Sequence, residues 1–361
     1  MSRPTVPAGT GARARPAPKG PRGSAPAEGA PAEGEPADSE PAEGAPAELA
    51  PAERVVAIVV DFEAGDLLAE CVRSLLDDGV RRVVVVENGR RGSARSVLER
   101  AGIDVPLLVT GRNLGYGAGA NRGIAAAGDG DYVLVCNPDL RVHRGAVAQL
   151  VAALDAHRAW AVAGPRIVDA GGAVYPSVRR FPSMAEAAGH ALLALVWPDN
   201  PFSRRYRPPD AGGDAVREVD WVSGACFVAR RSAMEELGGF DEAYFMFAED
   251  MDLCWRAREA GWGVGVDPAA VVTHVQGVSR RRHPYRMLAA HHRSALRFAT
   301  RRARGAERLA LPLAAGVLGV RLVMGVVEEA LRRRSAAGPA TRGAGAPAFG
   351  GPAARGGSVV G

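Results

Sequence analysis

Two hydrophobic rhythms alternate along this chain. Arg54 to Val60 is a run of β-branched and apolar residues that predicts a buried strand. Leu67, Leu68, Cys71 and Leu75 then recur at helical spacing and predict a helix over 67–76. The same exchange repeats: a strand over 82–86, a helix over 94–101 and a strand over 105–109. A glycine-rich loop over 111–119 then runs into a helix ending near Ala127. A strand over 132–136, a helix over 147–154 and a strand over 160–168 follow. Such a β-α-β-α order predicts an α/β domain whose central sheet is mainly parallel and covered by helices on both faces. Beyond Gly171 the rhythm loosens. A helix is expected over 185–196, then a Pro- and Arg-rich loop, and an extended piece over 219–229 broken at Gly224. A short helix over 231–237, a helix over 248–260 and two extended pieces near Val264 and Val271 complete the series, ending at His274.

Composition removes the two ends from this picture. Residues 1–52 repeat Pro, Ala, Glu and Gly, lack large aliphatic side chains, and are expected to be a disordered arm, as is the tail over 336–361. The early arginines are followed by no apolar stretch, so the arm is not read as a secretory leader. The remainder divides into an expected catalytic domain over 53–283 and a C-terminal helical extension over 284–335. In that extension Leu309 to Val327 is strongly apolar, but Pro312, Gly316, Gly319 and Arg321 interrupt it. An interfacial helix and a helix packed on the domain are both compatible with this pattern, whereas Arg321 argues against a full membrane span.

The formal charge is +5, and Lys19 is the single lysine. Arginines cluster at 204, 205 and 207, at 280–282 and at 332–334, where they suit an anionic membrane or phosphates and equally a solvated surface. Aromatic residues are scarcely interleaved with them, which disfavours nucleic acid. Cys71, Cys136, Cys226 and Cys254 form no Cys-x-x-Cys pair. They are read as core residues in a reducing cytoplasm, with no structural zinc.

The candidate chemistry is carboxylate-rich. Glu249 and Asp250 stand where the aromatic run Phe245-Met246-Phe247 turns into a helix, and an ionised carboxylate there suits a general base. Asn137-Pro138-Asp139 follows a buried strand, where open α/β sheets bind ligands, and Asp139 there can hold a hard divalent cation. Asn-Pro-Asp is also good turn chemistry; the company of Glu249, Asp250 and His274 favours the metal. His274 ends a strand, and neutral imidazole ligates manganese-like ions, although a lone histidine is commonly structural. Gly115, Gly117 and Ala120 also satisfy G-x-G-x-x-A, a weak match to a dinucleotide fingerprint because two strand-helix units precede it. Asp252 and Arg256 have ion-pair spacing, and Asp241 suits a turn or an acceptor hydroxyl.

Together these pieces carry a resemblance. Val-Val-Glu-Asn-Gly (85–89), Asn-Leu-Gly-Tyr-Gly-Ala-Gly-Ala-Asn-Arg-Gly (113–123), Asn-Pro-Asp (137–139), Val-Ser-Gly-Ala-Cys-Phe (222–227), Gly-Gly-Phe-Asp-Glu (238–242), Phe-Ala-Glu-Asp-Met-Asp-Leu-Cys-Trp-Arg (247–256) and His274 fall in one order. The stretch from Val55 to Gly277 resembles the family 2 inverting glycosyltransferases of GT-A fold, and within them the bacterial rhamnosyltransferases acting on lipid-linked sugars. The resemblance implies that Asp61 and Glu87 face the nucleoside, that Asn113, Gly115, Gly117 and Asn121 lie along the nucleotide, and that Asp139 and His274 hold Mg2+ or Mn2+ on the diphosphate. It further implies that Asp250, with Glu249 beside it, is the base, and that Arg280 or Arg281 assists from a loop. The implied partners are a nucleotide-sugar donor such as dTDP-rhamnose and a polyprenyl-diphosphate-linked glycan on the inner face of the cell membrane. The family's metal motif usually begins with aspartate where this chain has Asn137, and family members often carry Asp where it has Glu87. Another donor, a non-catalytic glycan- or lipid-binding module and a nicotinamide enzyme built on the glycine fingerprint are the competing expectations.

Overall fold

The computed structural model describes residues 49–89, 92–181, 213–275 and 284–336, together with 183, 186, 193, 197 and 200–206. Arg280 and Arg281, most of the helix expected over 185–196, and nearly all of both terminal segments lie outside the described residues. The first half follows the hydrophobic rhythm closely. In order come β1 (Val55–Asp61), α1 (Asp66–Asp77), β2 (Arg82–Glu87), α2 (Ser93–Arg100), β3 (Leu107–Val109), α3 (Tyr116–Ala126) and β4 (Tyr132–Cys136). A short β5 (Leu140–Val142), α4 (Ala146–Ala156) and β6 (Trp160–Val168) follow, then the two-residue strands β7 (Val174–Tyr175) and β8 (Val178–Arg179). The second half comprises α5 (Pro201–Tyr206), β9 (Arg217–Glu218), β10 (Trp221–Val222), β11 (Cys226–Arg230), α6 (Arg231–Glu236), α7 (Glu249–Glu259) and β12 (Gly263–His274). The last α-helices among the described residues are α8 (Pro284–Arg302) and α9 (Leu311–Ala336).

The main sheet runs β3-β2-β1-β4-β11-β6-β12-β5, with β7 on β6 and β9 on β12. β1 to β4 pair in parallel, β11 enters antiparallel between β4 and β6, and β12 pairs in parallel with β6. Along β1 the side chains alternate between faces, as a two-residue period requires. Val55, Ala57 and Val59 pack with Leu68, Cys71, Leu75, Leu150 and Leu154. Val56, Ile58 and Val60 pack with Tyr116, Ala120, Phe227, Phe240 and Leu253. Each such aliphatic side chain contributes about 1.5–3 kcal/mol when fully buried.

The two extended pieces expected near Val264 and Val271 form one strand. β12 runs from Gly263 to His274, with its register shifted between Asp267 and Val271. Pro268 falls in that shift, where a residue without an N–H is tolerated. Unforeseen is the pairing of β5 with the far end of β12, which sets His274 opposite Leu140, next to Asp139.

Candidate active site

The carboxyl ends of β1 and β2 hold Asp61 and Glu87 opposite each other. Asp61 is buried, and that burial, with the Glu87 charge adding to it, pushes its carboxyl up to about 6 against the N–H groups of Ala64 and Glu63. Glu87, expected to face the nucleoside, is buried and bonds to the start of α2. Its oxygens accept from the N–H groups of Gly92 and Ala94 at 3.0 and 2.8 Å and from Ser93 Oγ at 3.0 Å, so it serves the orphan donors at the start of α2. The extra methylene relative to aspartate gives it that reach. Asn88 is 2% exposed and clamps the glycine loop, donating to Gly115 O at 2.8 Å and accepting from Leu114 N at 2.9 Å.

The glycines of that loop are close-approach positions. Gly115 has φ +96°, and a Cβ there would stand 2.3 Å from Phe245 O. A Cβ on Gly117 would stand 2.9 Å from the Phe240 side chain, and one on Gly123 would strike Ile58. Asn121 bridges the Phe240 backbone, donating to its O and accepting from its N, both at 2.9 Å. Asn113 accepts from Gly115 N at 2.9 Å. Gly115, Gly117 and Asn121 therefore lie against the chain that leads to α7.

Asp139 and His274 meet. Asp139 Oδ1 and His274 Nε2 stand 3.1 Å apart, both side chains 12% exposed. The backbone fixes this, with Val275 N donating to Asp139 O at 2.9 Å just beyond the β5–β12 pairing. The Asn137 amide lies 3.3 Å from the same Nε2. Adjacent ligands on an octahedral ion with bonds of about 2.0–2.1 Å stand about 3 Å apart, so the Asp139–His274 spacing fits a hard divalent cation. Among the described residues no group of three His, Cys, Asp or Glu side chains is placed to hold a metal. An ion clamped against substrate phosphates keeps several waters and needs only one or two carboxylates, so a small donor set is compatible with it. His274 Nδ1 is buried without a hydrogen-bond partner.

Across the Ser223–Ala225 segment lies the carboxylate pair. Asn137 N donates to Ala225 O at 2.9 Å, while Gly224 N donates to Asp250 Oδ2 at 2.7 Å, so one turn of chain joins the two clusters. Tyr116 donates its hydroxyl to Gly224 O at 2.5 Å from the other side. The residues before α7 are strained: Phe247 and Ala248 both have left-handed backbones, at φ +68° and +62°. That turn points Glu249 and Asp250 in different directions. Glu249 is 6% exposed, its Oε2 has no partner, and burial together with the Asp250 charge pushes its carboxyl up to about 8. Burial also pushes Asp250 up, but the N–H groups of Gly224 and Met251 and the charge of Arg179 oppose it. Asp250 therefore has N–H partners and a nearby guanidinium that favour its charged form, whereas Glu249 Oε2 has no partner.

Comparison with known proteins decides what this cluster belongs to. The model of glycosyltransferase-like family 2 matches residues 51–301. The chain belongs to glycosyltransferase-like family 2. The glycosyltransferase is 41% identical over 226 residues to N-acetylglucosaminyl-diphospho-decaprenol L-rhamnosyltransferase of Mycobacterium tuberculosis, covering 59% of this chain and 72% of that protein. It is 27% identical over 231 residues to rhamnosyltransferase WbbL of Escherichia coli K12, covering 61% and 83%. Among solved structures it is similar to mannosyltransferase PcManGT from Pyrobaculum calidifontis in complex with GDP-Man and Mn2+, with TM-score 0.48, 17% identity and 79% of each chain covered. Its sheet flanked by helices, with further helices at the C-terminus, is the GT-A fold of this family.

Other features of the glycosyltransferase site were not legible from motifs. Asp241 binds Arg297 at 2.8 Å and also Arg301, which tie it to α8 rather than leave it free for an acceptor hydroxyl. Ser294 of α8 donates to Met246 O at 2.9 Å, and the His291 ring packs edge-on against Phe247 at 5.4 Å. Asp252, by contrast, is fully buried and pairs with Arg256 at 2.7 Å, as their spacing along the helix predicts. The helical spacing of Ser294 and His291 carries no sign of the loop they hold.

Proposed function

We propose that this glycosyltransferase moves L-rhamnose from dTDP-rhamnose to a hydroxyl of a polyprenyl-diphosphate-linked N-acetylglucosamine, inverting the anomeric carbon. The observation that carries the reading is the 41% identity to the mycobacterial rhamnosyltransferase. Asp250 is the proposed base. Its Oδ2 is held by Gly224 N, which fixes the carboxylate while leaving it charged to take the acceptor proton. Glu249, protonated beside it, keeps a second negative charge out of the site. Asp139 and His274 sit at the donor diphosphate, with Asn137 beside them. A divalent cation on that pair, Mg2+ or Mn2+, would neutralise charge on the departing diphosphate. Asp61 lies at the nucleoside end, near the clamp made by Asn88 and Asn113.

The helices after the sheet support a place at the inner face of the cell membrane. The segment 305–334 is long and apolar enough to cross a membrane. In α9 Leu313 is 65% exposed, Val323 64% and Leu331 56%, whereas Gly325 packs closely against Leu288 of α8. One side of α9 thus rests on α8, and much of the rest is apolar surface followed by Arg332 to Arg334, of which Arg332 pairs with Glu328 and Arg333 with Glu329. That arrangement suits peripheral contact with anionic lipid. The test is a transfer assay with dTDP-rhamnose, UDP-galactofuranose and UDP-glucose against a diphosphate-linked N-acetylglucosaminyl lipid, read by mass spectrometry. A rhamnosylated product is expected; turnover of a UDP-sugar instead would replace the donor, and no transfer from any donor would sink the reading.

A further inference from the structure

One short stretch of chain touches both ends of the site. Tyr175 sets its ring edge-on to His274, with centroids 6.4 Å apart. Four residues later Arg179 lies in β8 opposite Trp221, whose strand leads directly into Ser223 and Gly224. Gly224 is the residue that holds Asp250.

The Arg179 guanidinium is oriented but unspent. Nε donates to Pro176 O at 3.1 Å, and Cζ lies over the Trp221 ring, 5.3 Å from its centroid. Neither Nη1 nor Nη2 has a hydrogen-bond or carboxylate partner among the described residues. Arg54, Arg256 and Arg297 are neutralised, by Asp131 and Asp155, by Asp252 and by Asp241, whereas among the described residues Arg230 and Arg231, like Arg179, meet backbone carbonyls and no carboxylate. The Arg179 charge reaches Asp250 through space without an ion pair between them. A half-buried guanidinium whose Nε and ring face are engaged, and whose two amino groups are open, presents a fork that matches two phosphate oxygens. The donor diphosphate is allotted to Asp139 and His274, at the other end of the same stretch. An anion at Arg179 is then a second one, on the side of the base and therefore of the acceptor.

We propose that Arg179 binds the diphosphate of the lipid-linked acceptor, one sugar ring away from the hydroxyl that Asp250 deprotonates. The inference rests on the acceptor class proposed above. It makes Arg179 the group that selects an acceptor carrying a diphosphate over a neutral glycoside.

The experiment compares two acceptors on the full chain: N-acetylglucosamine linked through a diphosphate to a short polyprenyl chain, and the same sugar on an uncharged alkyl chain. In Arg179→Gln the ratio of kcat/KM for the charged over the uncharged acceptor is expected to fall about 10- to 100-fold, the size of a lost charge-assisted hydrogen bond, through KM for the acceptor. Arg179→Lys keeps the charge without the fork and is expected to recover part of the ratio; it carries the test if the glutamine variant does not fold. An unchanged ratio, or an equal loss on both acceptors, would overturn the inference while leaving the transfer reaction standing. A rise in KM for the nucleotide sugar instead would assign the guanidinium to the donor and equally overturn it. Wild-type protein that neither binds nor glycosylates the diphosphate-linked acceptor would overturn the inference together with the acceptor class.

Discussion

Two neighbouring carboxyls at the head of α7 meet opposite surroundings, and the difference sets their chemistry. Asp250 receives two N–H groups, whereas Glu249 faces the core with one oxygen unpartnered. Asp250→Asn keeps the side-chain shape and removes the proton acceptor. Transfer is expected to fall about 10²- to 10⁴-fold with the circular dichroism spectrum unchanged, and full activity in a folded variant would remove Asp250 from the mechanism. Glu249 gives a stability signature. Its folded pKa of about 8 lies above the ordinary 4.5, so between those values the unfolded chain releases a proton that the native chain keeps. Stability from this group is therefore whole below about pH 4.5, falls as pH rises toward 8, and levels off above it. Glu249→Gln should flatten that slope and stabilise the protein at pH 8, as urea titrations at several pH values would show; a slope as steep as wild type would mean the proton is held elsewhere.

At the scale of elements, the hydrophobic rhythm discloses the strands and helices of the first half, because buried parallel strands and amphipathic helices are written in local spacing. Which strand lies beside which is not local. β5 has three residues, and only its pairing with β12 brings Asp139 and His274 together across 135 positions. Motif reading names the residues at 139, 250 and 274, and it includes 222–227 among the matching pieces without giving Gly224 and Ala225 the role of joining the two clusters. The resemblance assigns Glu87 and Asn121 to the nucleotide, and in the structure both also bond within the protein, Glu87 to the start of α2 and Asn121 to Phe240. A carboxylate or amide has the same spelling whether it serves a helix start or a substrate. The glycine loop is a similar case: Gly115 meets Phe245, so its small size serves the chain that carries the base. Gly115→Ala combines a disfavoured backbone with a Cβ pressed against a carbonyl. It is expected to cost about 1–3 kcal/mol in denaturant unfolding and to lower kcat along with it; neutral behaviour in both would mean that this contact does not hold the base loop.

On the scale of the whole molecule, α8 connects the base loop to α9. Ser294 and His291 reach the loop, while Leu288 receives α9. Removing residues 305–361 is expected to abolish sedimentation with anionic vesicles while preserving transfer to a water-soluble, short-chain acceptor. Vesicle binding that survives the truncation would assign the lipid contact to another surface. The clamp between residues 115–121 and 239–245 has a further consequence. Gly115 lies on Phe245, Gly117 on Phe240, and Asn121 on Phe240 and Gly239. Segments that interlock in this way must be inherited as a pair. A chimera that exchanges 113–123 with a relative should fail unless 238–248 comes from the same parent, so any attempt to redesign donor choice through the first segment has to carry the second along with it.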